Sequence, residues 1–224
     1  MWLARFPRPR IVGKDYHNVR RAGVINEQGL CEEEIGRLAE DEACENVTTA
    51  GATLMSLREI KIEVVSRIEA GEILCTPDRC AEVTYLVSIG DANDPLPEGY
   101  ENAERKLRLL IADVVTEEGA TEEDVRRIIQ LAEQLRSERG TLLIHCEAGV
   151  SRSTATALIV YACWLGRGRE YEAMQRVITQ RPYAIPNRRM VVLADRFLAL
   201  DGRLLRARDD WLLLPDYSDN QFGS

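Results

Sequence analysis

Lysine is nearly absent from this chain of 224 residues: Lys14, Lys61 and Lys106 stand against 26 arginines. Histidine is scarcer still, with His17 and His145 alone. The six cysteines, Cys31, Cys44, Cys75, Cys80, Cys146 and Cys163, include no CxxC pair. With two histidines to accompany them, they do not make a structural zinc site. No apolar run reaches the roughly 18 residues that a membrane span needs. The first stretch, MWLARFPRPRIVG, scatters arginines without an apolar signal-peptide core. A secreted disulfide framework is equally out of keeping with a chain of this length, so free thiols in a reducing cytoplasm are expected. Surplus positive charge is missing too. The net charge is −8, so neither nucleic acid nor an anionic membrane is an expected partner. An anionic substrate has to be drawn by a local positive field.

What is present is the composition of a globular protein, 45% hydrophobic and 29% charged. Residues 1–54 have little periodicity and are expected to be an N-terminal extension. They are basic as far as Arg21 and acidic over 27–45, where CEEEIGRLAEDEAC carries a thin apolar face at Ile35, Leu38 and Ala39. From Met55 the pattern sharpens, and residues 55–201 read as the main domain, with 202–224 as a tail. REIKIEVV alternates apolar and polar residues as a half-buried strand does. SRIEAGEIL suggests a short helix. EVTYLVSIGD reads as a buried strand, RKLRLLIAD as a strand ending at Asp113, and TLLIH as a short, fully apolar strand. Between the last two, Thr121 and Asp124 form a capping box for a helix whose apolar face is Val125, Ile128, Ile129, Leu131 and Leu135, with Gly140 as its stop. STATALIVYACWLG is an almost wholly apolar, buried helix; REYEAMQRVITQR is amphipathic, and Asn187 is placed to cap RRMVVLADRFLALDG. Strands alternating with helices predict an α/β fold with a central, largely parallel sheet of four or five strands flanked by helices. Ligands bind such sheets at the carboxyl ends of the strands, where Asp113 and Cys146 lie.

The chemistry concentrates in His145-Cys146-Glu147-Ala148-Gly149-Val150-Ser151-Arg152-Ser153. A buried strand delivers Cys146 into a short loop, and a helix starts at the loop's far end. Backbone N–H groups of Glu147, Ala148, Gly149, Val150, Ser151 and Arg152 can converge with the helix N-terminus on one point, which makes an anion cradle. Gly149 permits the turn, and Arg152 adds a planar fork that grips two oxygens at once. The same positive field favours a thiolate at Cys146. His145 is placed to order the backbone at the sulfur, and Ser153 to donate a hydrogen bond to it.

This stretch resembles the signature of the protein tyrosine phosphatase superfamily, a Cys followed by five residues and Arg. His145, Ala148-Gly149, Ser151 and Ser153 bring it closest to the dual-specificity branch, and the likeness runs over roughly 55–200, including RPYAIPN. The resemblance implies a cysteine-phosphatase-like fold and hydrolysis of phosphotyrosine, with phosphoserine or phosphothreonine as further substrates, through a phosphocysteine intermediate and without metal or cofactor. It also implies a general acid on a loop some thirty residues before the nucleophile. Asp113, 33 residues before Cys146 and directly after LRLLIA, fits that place. Asp124 suits helix capping better, and Asp91 and Asp94 sit further upstream in a different loop.

A phosphorylated protein is the expected partner. Phosphatases of polyanionic substrates need extra positive charge beside the scissile phosphate, and Glu147 in the loop predicts repulsion instead. Phosphoinositides and RNA 5′ ends are the alternative substrates, and a rhodanese-like sulfurtransferase is an alternative reaction that needs no acid such as Asp113. A non-catalytic phosphopeptide binder would lack a catalytic residue, whereas Cys146, Arg152, Ser153 and Asp113 are all in the sequence. Arg181, Arg188 and Arg189 are candidates for the site entrance, and Cys75 and Cys80 for a protective disulfide, with each other or with Cys146.

Overall fold

The segments rich in β-branched and aliphatic residues pair into one parallel sheet in the computed structural model, which describes residues 60–213. The strands are β1 (Lys61–Ser66), β2 (Val83–Gly90), β3 (Lys106–Leu110) and β4 (Thr141–Cys146), in the order β1-β4-β2-β3. The helices are α1 (Arg67–Cys75), α2 (Pro77–Ala81), α3 (Glu122–Leu135), α4 (Arg152–Leu165), α5 (Glu170–Gln180), α6 (Arg188–Phe197) and α7 (Arg203–Leu212). The expected α/β class and parallel sheet are found, with four strands among the described residues. The extension 1–54, the acidic stretch 27–45 within it and the boundary at Met55 lie outside the described residues.

Side-chain alternation divides the core between the two faces of the sheet. Ile62, Val64, Val87, Ile89, Leu142 and Ile144 point to one face and pack with Val125, Ile128, Leu158, Val177 and Val191 from the longer helices. Val65, Leu86 and Leu143 point to the other, against Ala70, Ile73 and Leu74 of α1. The central strand β4 is buried along its whole length. Its successor α4 is buried from Arg152 to Cys163, as its nearly continuous apolar sequence requires. Fully burying a Leu or Ile side chain contributes about 1.5–3 kcal/mol, so burial anchors both β4 and α4, the elements on either side of the loop.

Local capping explains where α3 and α6 start. Thr121 and Asp124 form the expected reciprocal box, and the Asn187 side chain accepts from the backbone of Arg189 and Met190. Three expectations shift. The strand preceding Asp113 stops at Leu110 rather than at Asp113; Val114 N then donates to Ala112 O at 2.9 Å, a tight turn centred on Asp113. Helix α3 ends at Leu135, before Gly140, whose positive φ closes the link into β4. Finally, the region read as a tail from 202 contains α7, packed against α5 and α6 with Leu204, Ala207 and Arg208 buried. Its N-terminal N–H groups are satisfied from a distance: the buried Asp195 carboxylate of α6 accepts from Gly202 N at 2.6 Å and Leu204 N at 2.8 Å.

Candidate active site

The register of β1 and β4 sets Ser66 beside Cys146 at the carboxyl end of the sheet. The chain then turns through residues 147–151 into the N-terminus of α4. Gly149 makes that turn at φ +73°, and a Cβ there would stand 2.8 Å from Ser66 N and Val65 C, so the loop backbone rests directly on β1. Backbone bonds pin the rest: Arg67 N donates to Glu147 O at 3.1 Å, Ile185 N to Val150 O at 2.9 Å, and Asn187 N to Ser151 O at 3.2 Å. The RPYAIPN stretch thus serves as a buttress behind the loop.

Cys146 is buried, with its Sγ 3.1 Å from the Ser153 hydroxyl. Its neighbour His145 points to the opposite face of the strand, and its Nδ1 lies 3.3 Å from Cys146 O. Burial pushes its pKa down to about 4, so the ring is neutral at pH 7. Contact with a carbonyl then calls for the proton on Nδ1, leaving the buried Nε2 as an acceptor without a partner.

Arg152 is buried in the first turn of α4. Its Nη1 donates to Ile111 O at 2.8 Å, at the end of β3. Its Nε is buried and has no hydrogen-bond partner among the described residues. A buried, unpartnered donor beside an anion cradle is a place for an oxygen of a tetrahedral oxyanion. Asp113 stands next to it, Oδ2 3.6 Å from Arg152 Nε, and its Oδ1 accepts from Ser151 Oγ at 2.6 Å and from Asn187 Nδ2 at 3.0 Å. A thiol, a guanidinium fork and an oriented carboxyl converge. Together they can attack phosphorus, hold its oxygens and exchange a proton with a leaving group.

Several residues enter this site that sequence reasoning set aside or missed. Asp91 and Asp94 lie 3.6 and 3.8 Å from Arg152 Nη1, brought there by the adjacency of β2 and β4. They are aligned by Arg108 of β3, which donates to Ser88 Oγ at 2.8 Å and reaches the Asp91 and Asp94 carbonyls. Asn187, read as a helix cap, uses its amide in both directions: Oδ1 caps α6, and Nδ2 bonds Asp113 and Val114 O. Its appearance in PN before an apolar helix signalled the cap and gave no sign of the second contact. Glu147 corrects an expectation. Its carboxylate is gripped by both Nε and Nη2 of Arg67, at 2.7 and 3.2 Å, so its charge is compensated rather than free to repel substrate. Asp124, as expected, is occupied in its cap.

Of the entrance arginines, Arg181 is tied to Glu69 and to Val64 O at the outer edge of β1, and Arg189 donates to Ala120 O. The exposed Arg188 borders a groove of about 510 Å³ beside Asp113, with Val114, Val115 and Ile185. The four described cysteines are free. Helix α1 carries Cys75 away from the loop, and Cys75 and Cys80 line a groove with Val83 and Thr84, where β2 begins. Cys146, by contrast, closes β4 at the carboxyl end of the sheet.

No family model matches the chain. It is 28% identical over 106 residues to dual specificity protein phosphatase 15 of Rattus norvegicus, a match covering 47% of this chain and 42% of the relative. The chain resembles the dual-specificity phosphatases. The match spans less than half the length of that curated relative. Among solved structures, human DUSP28 aligns with a TM-score of 0.48 at 24% identity, over 63% of this chain and 94% of that one. DUSP15 aligns with a TM-score of 0.46 at 20% identity, over 72% of this chain and 92% of that one.

Proposed function

We propose that the chain is a cysteine-dependent phosphatase acting on phosphate monoesters, with phosphotyrosyl proteins as its main substrates and phosphoserine or phosphothreonine as weaker ones. The observation that carries this reading is the buried Arg152 Nε, 3.6 Å from the Asp113 carboxylate, in the first turn of the helix that follows the Cys146 loop. In the first step the Cys146 thiolate attacks phosphorus in line with the ester oxygen. An S–P bond forms and the P–O bond breaks, while Arg152 and the loop N–H groups hold the three remaining oxygens. The Asp113 carboxyl gives its proton to the departing oxygen. In the second step Asp113, now a carboxylate, takes a proton from water as that water attacks phosphorus, and the S–P bond breaks. The Ser153 hydroxyl, within hydrogen-bond reach of Sγ, stabilises the sulfur as it leaves. Asp91 and Asp94 act on Arg152 from its other side, holding the fork in plane. No step calls for a metal. The free thiols suit a reducing compartment, and the cytoplasm is the proposed location; no helix among the described residues is long and apolar enough to cross a membrane.

The test is kcat/KM for a phosphotyrosyl peptide, a phosphoinositide headgroup, a 5′-phosphorylated RNA and thiosulfate with cyanide, each with and without chelator. The phosphotyrosyl peptide is expected to lead, with chelator without effect. A hundredfold preference for the headgroup or the RNA would reassign the substrate, and sulfur transfer without phosphate release would reassign the reaction.

A further inference from the structure

Arg67 and Glu147 meet across 80 positions of sequence at the lip of the phosphate loop. Arg67 follows Ser66, the β1 partner of Cys146, and opens α1, so its backbone sits against the loop and its N–H holds Glu147 O at 3.1 Å. Its guanidinium is turned along the surface and takes the Glu147 carboxylate in a fork-to-fork pair. About a quarter of the Arg67 side chain and half of the Glu147 side chain remain exposed. The Arg67 guanidinium lowers the Glu147 pKa from its ordinary value, so the pair is charged throughout the neutral region. Asp94 also acts on Arg67 from across the loop, and Arg152 on Glu147.

A guanidinium next to a loop built for one phosphate is suited to a second anion on the same substrate. Here that position is already filled by a carboxylate tethered to the loop itself. We propose that Arg67 forms a second anion subsite, for a phosphate or carboxylate near the scissile phosphate, and that Glu147 keeps it closed, which biases the enzyme toward substrates carrying a single phosphate. An incoming second phosphate must displace Glu147 from both guanidinium contacts and then remain beside the displaced charge. The pair is partly exposed, so the barrier is modest and salt-sensitive.

The proposal rests on the phosphatase reading for turnover alone and can be measured without it. The probes are a phosphotyrosyl peptide and the same peptide with a second phosphate on the adjacent residue. The quantity is the ratio of their kcat/KM values in the active enzyme, and of their Kd values in the Cys146→Ser background. Glu147→Gln is expected to shift the ratio toward the doubly phosphorylated peptide by about tenfold, the scale of one charge-assisted contact, and less at high salt. Arg67→Gln, which leaves Glu147 uncompensated, is expected to shift it the other way. The double variant is expected to lose the gain of Glu147→Gln. A ratio unmoved by both single variants, or a gain that survives in the double variant, overturns the subsite. If the Kd ratios move as stated while neither peptide is hydrolysed, the subsite stands and the phosphatase reading falls.

Discussion

Asn187 joins the helix that supports the loop to the carboxyl proposed as general acid, and two substitutions separate those roles. Its side chain is buried. Oδ1 accepts from Arg189 N at 3.1 Å and Met190 N at 3.3 Å, while Nδ2 donates to Asp113 at 3.0 Å and to Val114 O at 3.2 Å. Asn187→Ser keeps a good N-cap and removes both donors; Asn187→Ala removes the cap as well, at about 1 kcal/mol of stability. A general acid contributes about 10²–10⁴ in rate. Asp113 retains its bond from Ser151 Oγ at 2.6 Å in either variant, so part of its orientation survives. The expected loss is about tenfold in kcat for an alkyl phosphate, with little loss for p-nitrophenyl phosphate, whose leaving group needs no proton. The assay is kcat across phosphate esters of graded leaving-group pKa, alongside urea melts. Both variants are expected to steepen the dependence on leaving group, and the alanine variant alone to lose the cap's share of stability. Equal losses for good and poor leaving groups, or a serine variant with full activity on alkyl phosphates, would refute the positioning role.

Asp113→Asn is expected to cost about 10²–10⁴ in kcat for phosphoserine-type esters and much less for an acidic phenol; steady-state kinetics with equal losses on both would move the acid elsewhere. His145 supplies a pH signature of stability. Its folded pKa of about 4 lies below the ordinary 6.5, so between those values the unfolded chain binds the extra proton and stability rises with pH. The difference amounts to about 3 kcal/mol, fully present above pH 6.5 and lost as pH falls toward 4. Urea midpoints over pH 4–7 are expected to show this rise, and His145→Gln to flatten it; an unchanged slope in the variant contradicts the assignment. Glu69, held at about 2 by Arg181, acts in a separate window, losing its contribution as pH falls from its ordinary 4.5 through 2.

Local signals made most of the frame legible. The alternation of REIKIEVV, the apolar run TLLIH, the capping box at Thr121 and the apolar helix after Arg152 are all short-range patterns, and each became the expected element. The Cys146–Arg152 loop was legible for the same reason, being one contiguous strand-loop-helix unit. The remaining features depend on contacts between distant segments. Helix α7 has Gly202 where a side-chain cap would stand, and its cap is Asp195 on another helix. Asp91 and Asp94 reach Arg152 because β2 lies beside β4, a strand order that spacing along the chain does not encode. Along the sequence Glu147 stands as an uncompensated charge, because its partner Arg67 is 80 residues away.

The nucleophile is tested most directly by rapid acid quench of the enzyme during turnover of a phosphotyrosyl peptide, followed by peptide mass spectrometry. A single phosphoryl adduct on Cys146 is expected and is absent from Cys146→Ser; in an Asp113→Asn variant it is expected to accumulate further with p-nitrophenyl phosphate, whose leaving group needs no proton while the attacking water still needs a base. Product release with no adduct on Cys146, or turnover that survives in Cys146→Ser, contradicts a phosphocysteine mechanism at this loop.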